Sequence, residues 1–138
     1  MRRHHRLSFC FIAACAPLAT GCTNAFFSTQ ILDFIGPNTA VAVINGPIVA
    51  NSGQAVVLNG NSSYLQSGSG SRTDAITAGF TFLWEVTTIP GGAVAPTLTD
   101  ANSSQPTFTA TTAGAYVVTL TVSNGVESGA STVAIQVN

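Results

Sequence analysis

Residues 114–125, GAYVVTLTVSNG, constrain the fold of this chain more than any other stretch. Every second position carries a large apolar side chain: Tyr116, Val118, Leu120 and Val122. A period of two places these side chains on one face of a β-strand, with the intervening threonines on the other. Asn124-Gly125 is a strong hairpin signal, so the chain is expected to return as a second strand over residues 132–137. These residues therefore predict an antiparallel sheet with one buried face.

A second alternating stretch carries the aromatic part of the expected core. Phe80, Phe82, Trp84 and Val86 share one strand face. Shorter apolar runs separated by turn residues occupy residues 41–44, 54–60, 93–98 and 106–109. About seven short strands of this kind predict an all-β, immunoglobulin-like antiparallel β-sandwich. Its predicted structural core contains Trp84, Tyr116, Phe82, Leu120 and Val118.

The first 21 residues have the pattern of an export signal. Arginines at positions 2, 3 and 6 precede an apolar run over residues 7–18 and then small residues. Such a run is short for a permanent membrane span. Residues 18–22, LATGC, resemble the bacterial lipobox, in which the cysteine is lipidated and becomes the mature N-terminus. Residues 1–21 are thus predicted to be a lipoprotein signal peptide and Cys22 the lipidation site, with an ordinary cleaved signal as the alternative.

The lipobox resemblance implies a cellular location. It implies palmitate on Cys22 and attachment to a membrane through the N-terminal lipid. In bacterial lipoproteins an aspartate directly after the cysteine favours the inner membrane, whereas Thr23 follows here. We therefore expect an exported protein anchored in the outer membrane of a Gram-negative bacterium. Cys10 and Cys15 would leave with the signal, so no disulfide is expected.

Residues 22–39 are expected to form an apolar tether. Phe27, Ile31 and Phe34 recur at helical spacing, and Gly36-Pro37 would end a short amphipathic helix. These three side chains are a candidate contact surface. The spacing is compatible with a helix on the membrane surface, on a partner protein or on the chain's own domain.

Residues 61–79 are rich in serine and glycine and predict a long loop within the domain. Loops of this length are often functional. Tyr64 is the aromatic residue in this stretch that the core pattern does not claim. It is a candidate for stacking on a sugar ring, with capping of the sandwich end as the structural alternative.

The composition argues against several kinds of chemistry. His4 and His5 lie in the signal, the chain has no lysine, and from Cys22 onward one arginine stands against five acidic residues. A serine nucleophile would therefore lack a base, and the excess of acids disfavours nucleic acid. No pattern pairs the carboxylates for glycoside hydrolysis, and no metal-ligand cluster is evident. We predict no enzyme activity, no metal and no nucleic-acid partner.

The order of strand motifs resembles the PKD domain, an immunoglobulin-like sandwich common in bacterial surface proteins. The resemblance rests on residues 56–60 (VVLNG), 82–86 (FLWEV), 106–110 (PTFTA) and 114–125. It implies a domain over residues 40–138 and a tyrosine corner at Tyr116. Some family members bind calcium through acidic residues after the second strand, but NSSYLQS at residues 61–67 lacks them, so calcium is not expected.

Two functions follow from these observations. The first is a non-catalytic, lipid-anchored module of the cell envelope that serves protein interaction or spacing, with an envelope protein as its partner. The alternative is a carbohydrate-binding module on the cell surface that uses the 61–79 loop and Tyr64. Neither function requires a cofactor.

Overall fold

A computed structural model describes residues 36–138. Within this range the chain is all-β and contains no helix. It forms ten strands: β1 Thr39–Val41, β2 Val49–Ala50, β3 Ala55–Val57, β4 Tyr64–Gln66, β5 Arg72–Asp74, β6 Thr81–Thr88, β7 Thr97–Thr99, β8 Thr107–Thr109, β9 Gly114–Ser123 and β10 Ser128–Val137.

The first layer is a four-stranded sheet in the order β2-β10-β9-β6. The β9–β10 hairpin forms its centre, and its antiparallel ladder runs from the Ser123–Ser128 pair to the Gly114–Val137 pair. The loop of this hairpin contains the predicted Asn124-Gly125 turn, where Gly125 has a φ of +86°. β6 pairs antiparallel with β9, while β2 joins the C-terminal end of β10 in parallel.

Two three-stranded sheets, β3-β8-β7 and β1-β4-β5, complete the described part of the chain. The β10-β9-β6 and β3-β8-β7 strands correspond to the CFG and BED strands of an immunoglobulin sandwich, and here the first strand, β2, joins the CFG sheet. The β4–β5 hairpin is an addition between the second and third of these strands. The predicted all-β immunoglobulin-like fold is confirmed.

The core lies between the layers and follows the period-two pattern. All four alternating apolar side chains of β9 are fully buried. Trp84 lies opposite Leu120 in the β6–β9 ladder. The largest fully buried apolar side chains are Trp84, Tyr116, Phe108, Leu58, Leu120, Ile135, Val118, Val122 and Val137. Burial of these side chains supplies the main free energy of folding.

Two glycines allow close approaches between elements. Gly129 on β10 lies beneath β1, and a Cβ at this position would collide with the backbone carbonyl of Ala40. Gly114 begins β9 with a φ of +141°, and the ring of Pro90 lies where its Cβ would be. Side chains at these two positions would displace β1 or the Pro90 turn, so glycine is required for packing.

The prediction of about seven strands was incomplete. Each of the seven predicted segments overlaps a strand. β1 shares only Val41 with the predicted run over residues 41–44, β3 and β7 are shorter than expected, and β10 begins earlier. The structure adds β2, β4 and β5. The last two correct the loop predicted over residues 61–79, because most of that stretch is a strand, a turn and a second strand. The serine and glycine residues of the turn led to the prediction of a loop. The two strands beside it are three residues long and so show no apolar alternation.

Predictions for the N-terminal segment concern residues outside the described range. They include the signal peptide, lipidation of Cys22, and the contact surface of Phe27, Ile31 and Phe34. Within residues 36–138, no helix has the length and apolar character needed to cross a membrane.

Candidate interaction surface

An aromatic, an amide and two oppositely charged side chains share one face of the β1-β4-β5 sheet. In the β1-β4-β5 sheet, Ala40 and its cross-strand neighbours Leu65 and Thr73 point to one side, and Ala40 is buried. Alternation places the flanking residues on the opposite, outer side. We call this outer surface the hairpin face, and it consists of Thr39, Val41, Tyr64, Gln66, Arg72 and Asp74.

Arg72 and Tyr64 form the centre of the hairpin face. The guanidinium carbon of Arg72 lies 4.3 Å from the centroid of the Tyr64 ring, a cation–π contact. Tyr64 is half-buried, whereas Arg72 is exposed. One side of the phenol ring is therefore covered by the cation, and the guanidinium is held at the surface by the ring.

Gln66 links the Arg72 side chain to the turn between β4 and β5. Its Oε1 accepts a hydrogen bond from Nε of Arg72 at 3.4 Å. Its Nε2 donates to the carbonyl oxygens of Ser71 at 3.3 Å and Ser67 at 3.4 Å. These contacts orient the guanidinium of the exposed Arg72 side chain. Such a preorganised arginine suits recognition of a carboxylate.

Asp74 supplies a negative charge on the same face. Its carboxylate accepts hydrogen bonds from the backbone N–H of Thr77 at 2.8 Å and from the Thr77 hydroxyl at 2.9 Å. The backbone bond and then the hydroxyl bond lower the pKa of Asp74 below its ordinary value of 3.8, against a small opposing effect of burial. Asp74 is therefore ionised at neutral pH and fixed at the end of β5.

The position of Tyr64 differs from the sequence-based expectation. Tyr64 is not in an open loop with a free ring, since it opens β4 and lies opposite Val41 and Asp74. Sequence analysis also missed Arg72 as a partner of Tyr64. The sequence feature that could have indicated this contact is the pair of segments YLQ and RTD on either side of a serine-glycine turn. Each segment is only three residues long, too short to show the alternation of a β-strand.

The residues predicted to form the structural core do lie there. Trp84, Tyr116, Val118 and Leu120 are buried, and Phe82 is half-buried against them. The indole nitrogen of Trp84 donates to the Ser103 carbonyl at 3.0 Å. The Tyr116 hydroxyl donates to the carbonyl of Thr112 at 2.8 Å, which is the geometry of a tyrosine corner. These residues hold the sandwich together and present no group to a ligand.

The remaining described carboxylates are separated along the chain. Glu85 lies on the outer side of β6, Asp100 follows β7, and Glu127 lies in the β9–β10 loop. Residues 36–138 contain no group of three histidine, cysteine or acidic side chains able to hold a metal ion. Within the described residues, the hairpin face is where a cation, an aromatic ring and a carboxylate lie together.

The strand order, the inward tryptophan of β6 and the tyrosine corner of β9 define an immunoglobulin-like β-sandwich. Among solved structures, the solution structure of the PKD domain from the KIAA 1837 protein matches with 25% sequence identity and a TM-score of 0.46. The match covers 70% of this chain and 84% of that one. No protein-family model matches the sequence, and neither does any curated protein.

Proposed function

We propose that this chain is a non-catalytic, lipid-anchored module of the bacterial cell envelope whose PKD-like domain binds another envelope protein. Cys22 carries the lipid, residues 23–35 connect it to the domain, and the outer membrane is the destination. The hairpin face is the binding surface. The grouping of Tyr64, Gln66, Arg72 and Asp74 on one exposed sheet face is the observation that carries this proposal.

Residue type supports a protein as the ligand. Tyrosine and arginine are enriched among the residues that contribute most to protein–protein binding, because each combines a large contact area with directed hydrogen bonds. On the hairpin face the two side chains already contact each other, so binding a partner costs little additional side-chain entropy. A module that only separated its neighbours would not need this arrangement.

The composition of the domain supports the absence of catalysis. Residues 36–138 contain no histidine, cysteine or lysine. Asp74, the one carboxylate on the hairpin face, is already engaged by Thr77. A hydroxyl on this face would therefore lack a general base to activate it.

Metabolic labelling with palmitate tests the lipid anchor. The wild-type chain and a Cys15→Ser control should incorporate the label and sediment with membranes, whereas Cys22→Ser should do neither. Release of an unlabelled wild-type chain would show that residues 1–21 act as an ordinary export signal.

Crosslinking in intact native cells tests the binding surface. Wild type and Glu85→Gln, which alters the outer side of β6, should recover the same stoichiometric envelope protein. Arg72→Ala should recover much less of it. A variant that lacks residues 24–35 is tested separately. Loss of the partner in that variant alone would mean that the tether, and not the hairpin face, binds the partner. Equal recovery from Arg72→Ala and wild type would reject the hairpin face.

A surface glycan is the second candidate ligand, because Tyr64 lies beside an amide and a carboxylate that could bond to sugar hydroxyls. Stacking on the ring would require Arg72 to move, since its guanidinium covers one side of the ring. The glycan function thus predicts loss of retention on an insoluble polysaccharide in Tyr64→Ala and equal or stronger retention in Arg72→Ala. Retention that Tyr64→Ala leaves unchanged would exclude it.

A further inference from the structure

β5 forms an open edge of the β1-β4-β5 sheet, because it pairs with β4 and borders no other strand within the described residues. The turn before it closes with a hydrogen bond from the N–H of Ser67 to the carbonyl of Ser71. Bonded and non-bonded pairs alternate along an antiparallel ladder. Leu65 and Thr73 are therefore the next bonded pair, and the main-chain groups of Arg72 and Asp74 point to the open side.

A separate hydrogen bond agrees with this orientation. The carbonyl oxygen of Asp74 accepts from the N–H of Ala78, in the turn that follows β5, at 2.8 Å. This carbonyl is thus directed away from β4. The N–H groups of Arg72 and Asp74 and the carbonyl of Arg72 complete a short row of edge groups, which is the surface that an added β-strand recognises.

The sequence of β5, RTD, is complementary to itself in antiparallel pairing. With a two-fold axis at Thr73, Arg72 of each copy lies opposite Asp74 of the other. Because the Asp74 carbonyl is already bonded to Ala78, each pair can form one main-chain bond, from the N–H of Asp74 to the carbonyl of Arg72. Opposite charges directly across an antiparallel pair are stabilising. A parallel arrangement or a shift of one residue would lose this charge match.

We propose that two copies of this protein associate through their β5 strands, forming a continuous six-stranded sheet with Arg72 of each copy opposite Asp74 of the other. The interface is isologous, as expected for a two-fold dimer. It places Arg72 and Asp74 of the hairpin face at the sheet edge and names a second copy as the envelope protein bound there, and in that respect it rests on the proposed function.

The edge is only three residues long, so the dimer is weak in solution. Anchoring both copies in one membrane raises their effective concentration and restricts their orientation, which favours a weak contact without adding new bonds. Dimerisation is therefore expected on membranes and at high protein concentration.

A cysteine at the two-fold axis tests this arrangement. The two Thr73 positions form a non-hydrogen-bonded pair, with Cβ atoms about 4.5–5.5 Å apart, close to the separation in a disulfide. The full chain carrying Thr73→Cys is oxidised in membranes and, after purification, at increasing concentration. A reducible dimer is expected in both settings. Ser69→Cys, at the exposed turn of the same hairpin, is the matched control and should give little dimer.

Charge reversal tests the proposed register. Arg72→Asp makes both positions acidic and Asp74→Arg makes both basic, so either variant alone should lower the yield of the Thr73→Cys dimer about five- to tenfold. Mixing the two variants, distinguished by size, should restore crosslinking between them. Thermal melts of each variant verify folding, because Asp74→Arg also removes the bonds to Thr77.

Three outcomes would overturn the inference: no Thr73→Cys dimer in either setting, equal crosslinking from Ser69→Cys, or no preference for the mixed pair. Palmitate labelling of the same samples keeps the two proposals apart. Labelled protein that does not crosslink would overturn the dimer alone, whereas an unlabelled chain that crosslinks after purification would overturn the lipid anchor alone.

Discussion

The hydroxyl of Tyr116 donates a hydrogen bond of 2.8 Å to the carbonyl oxygen of Thr112, four residues earlier in the chain. This bond fixes the corner at which the chain leaves β8 and enters β9. The Tyr116 ring is fully buried and packs edge-on against Phe108, with 5.5 Å between the ring centroids. One side chain therefore couples the corner to the core.

Tyr116→Phe should destabilise the domain by about 1 kcal/mol, because it removes the hydroxyl bond while preserving the buried ring. Chemical denaturation should show this loss as a lower midpoint with an unchanged slope. Tyr64→Phe is the control, since the Tyr64 hydroxyl forms no hydrogen bond within residues 36–138, and it should unfold like wild type. Equal midpoints for Tyr116→Phe and wild type would mean that the corner bond contributes nothing to stability.

Trp84→Ala should cost about 3–5 kcal/mol, the usual range for deleting a large buried aromatic side chain. Trp84 is only 2% exposed, and its deletion also leaves the Ser103 carbonyl without the indole donor. Leu83→Ala is a neighbouring control, because Leu83 is 45% exposed on the other side of β6. Thermal melts should give Leu83→Ala a melting temperature close to that of wild type. A larger loss in Leu83→Ala than in Trp84→Ala would mean that Trp84 does not face the core.

Gly129→Ala should destabilise the domain by about 1–3 kcal/mol or more, because a backbone carbonyl cannot rotate away as a side chain can. Its Cβ would meet the carbonyl of Ala40 and displace β1 from β10. Gly91→Ala is the matched control, since no atom lies within 4 Å of its Cβ position. It should be neutral or slightly stabilising in the same denaturation experiment. A neutral Gly129→Ala would show that β1 does not lie against β10.

Asp74 should titrate below 3.8, since the Thr77 N–H and hydroxyl stabilise its carboxylate. The folded-state pKa is lower than the unfolded one, so the stabilisation is present above the unfolded pKa and is lost as pH falls through the folded pKa. Carboxyl chemical shifts in an NMR titration measure it. Thr77→Val should raise the pKa of Asp74 towards 3.8, while Thr77→Ser should preserve it. Identical titrations in Thr77→Val and wild type would exclude the hydroxyl as a cause.

Local patterns were sufficient to predict the main architecture. Alternation in residues 114–125 and 80–86 identified β9, β6 and their buried faces, because each strand is long enough to show its period. The resemblance of residues 114–125 to the PKD domain implied the tyrosine corner at Tyr116. These features depend on neighbours within the same strand or turn, so the sequence carries them directly.

Short strands were harder to predict. β2, β4 and β5 contain only two or three residues each, too few for a period to be recognised. Tertiary pairing stabilises them instead: β2 is aligned by the end of β10, and the β4–β5 hairpin by β1. Local composition therefore led to a loop where the structure has a sheet.

The sequence by itself determined the immunoglobulin-like class, the identity of the core and the shortage of catalytic groups, since each follows from residue type and local spacing. Only the tertiary structure decided that Arg72 covers Tyr64, that Asp74 ends an open sheet edge, and that Gly129 makes room for Ala40. These relationships join segments through strand pairing and close backbone approach. The contacts that stabilise them exist only after the chain has folded, so they cannot be predicted from the periodicity of any one segment.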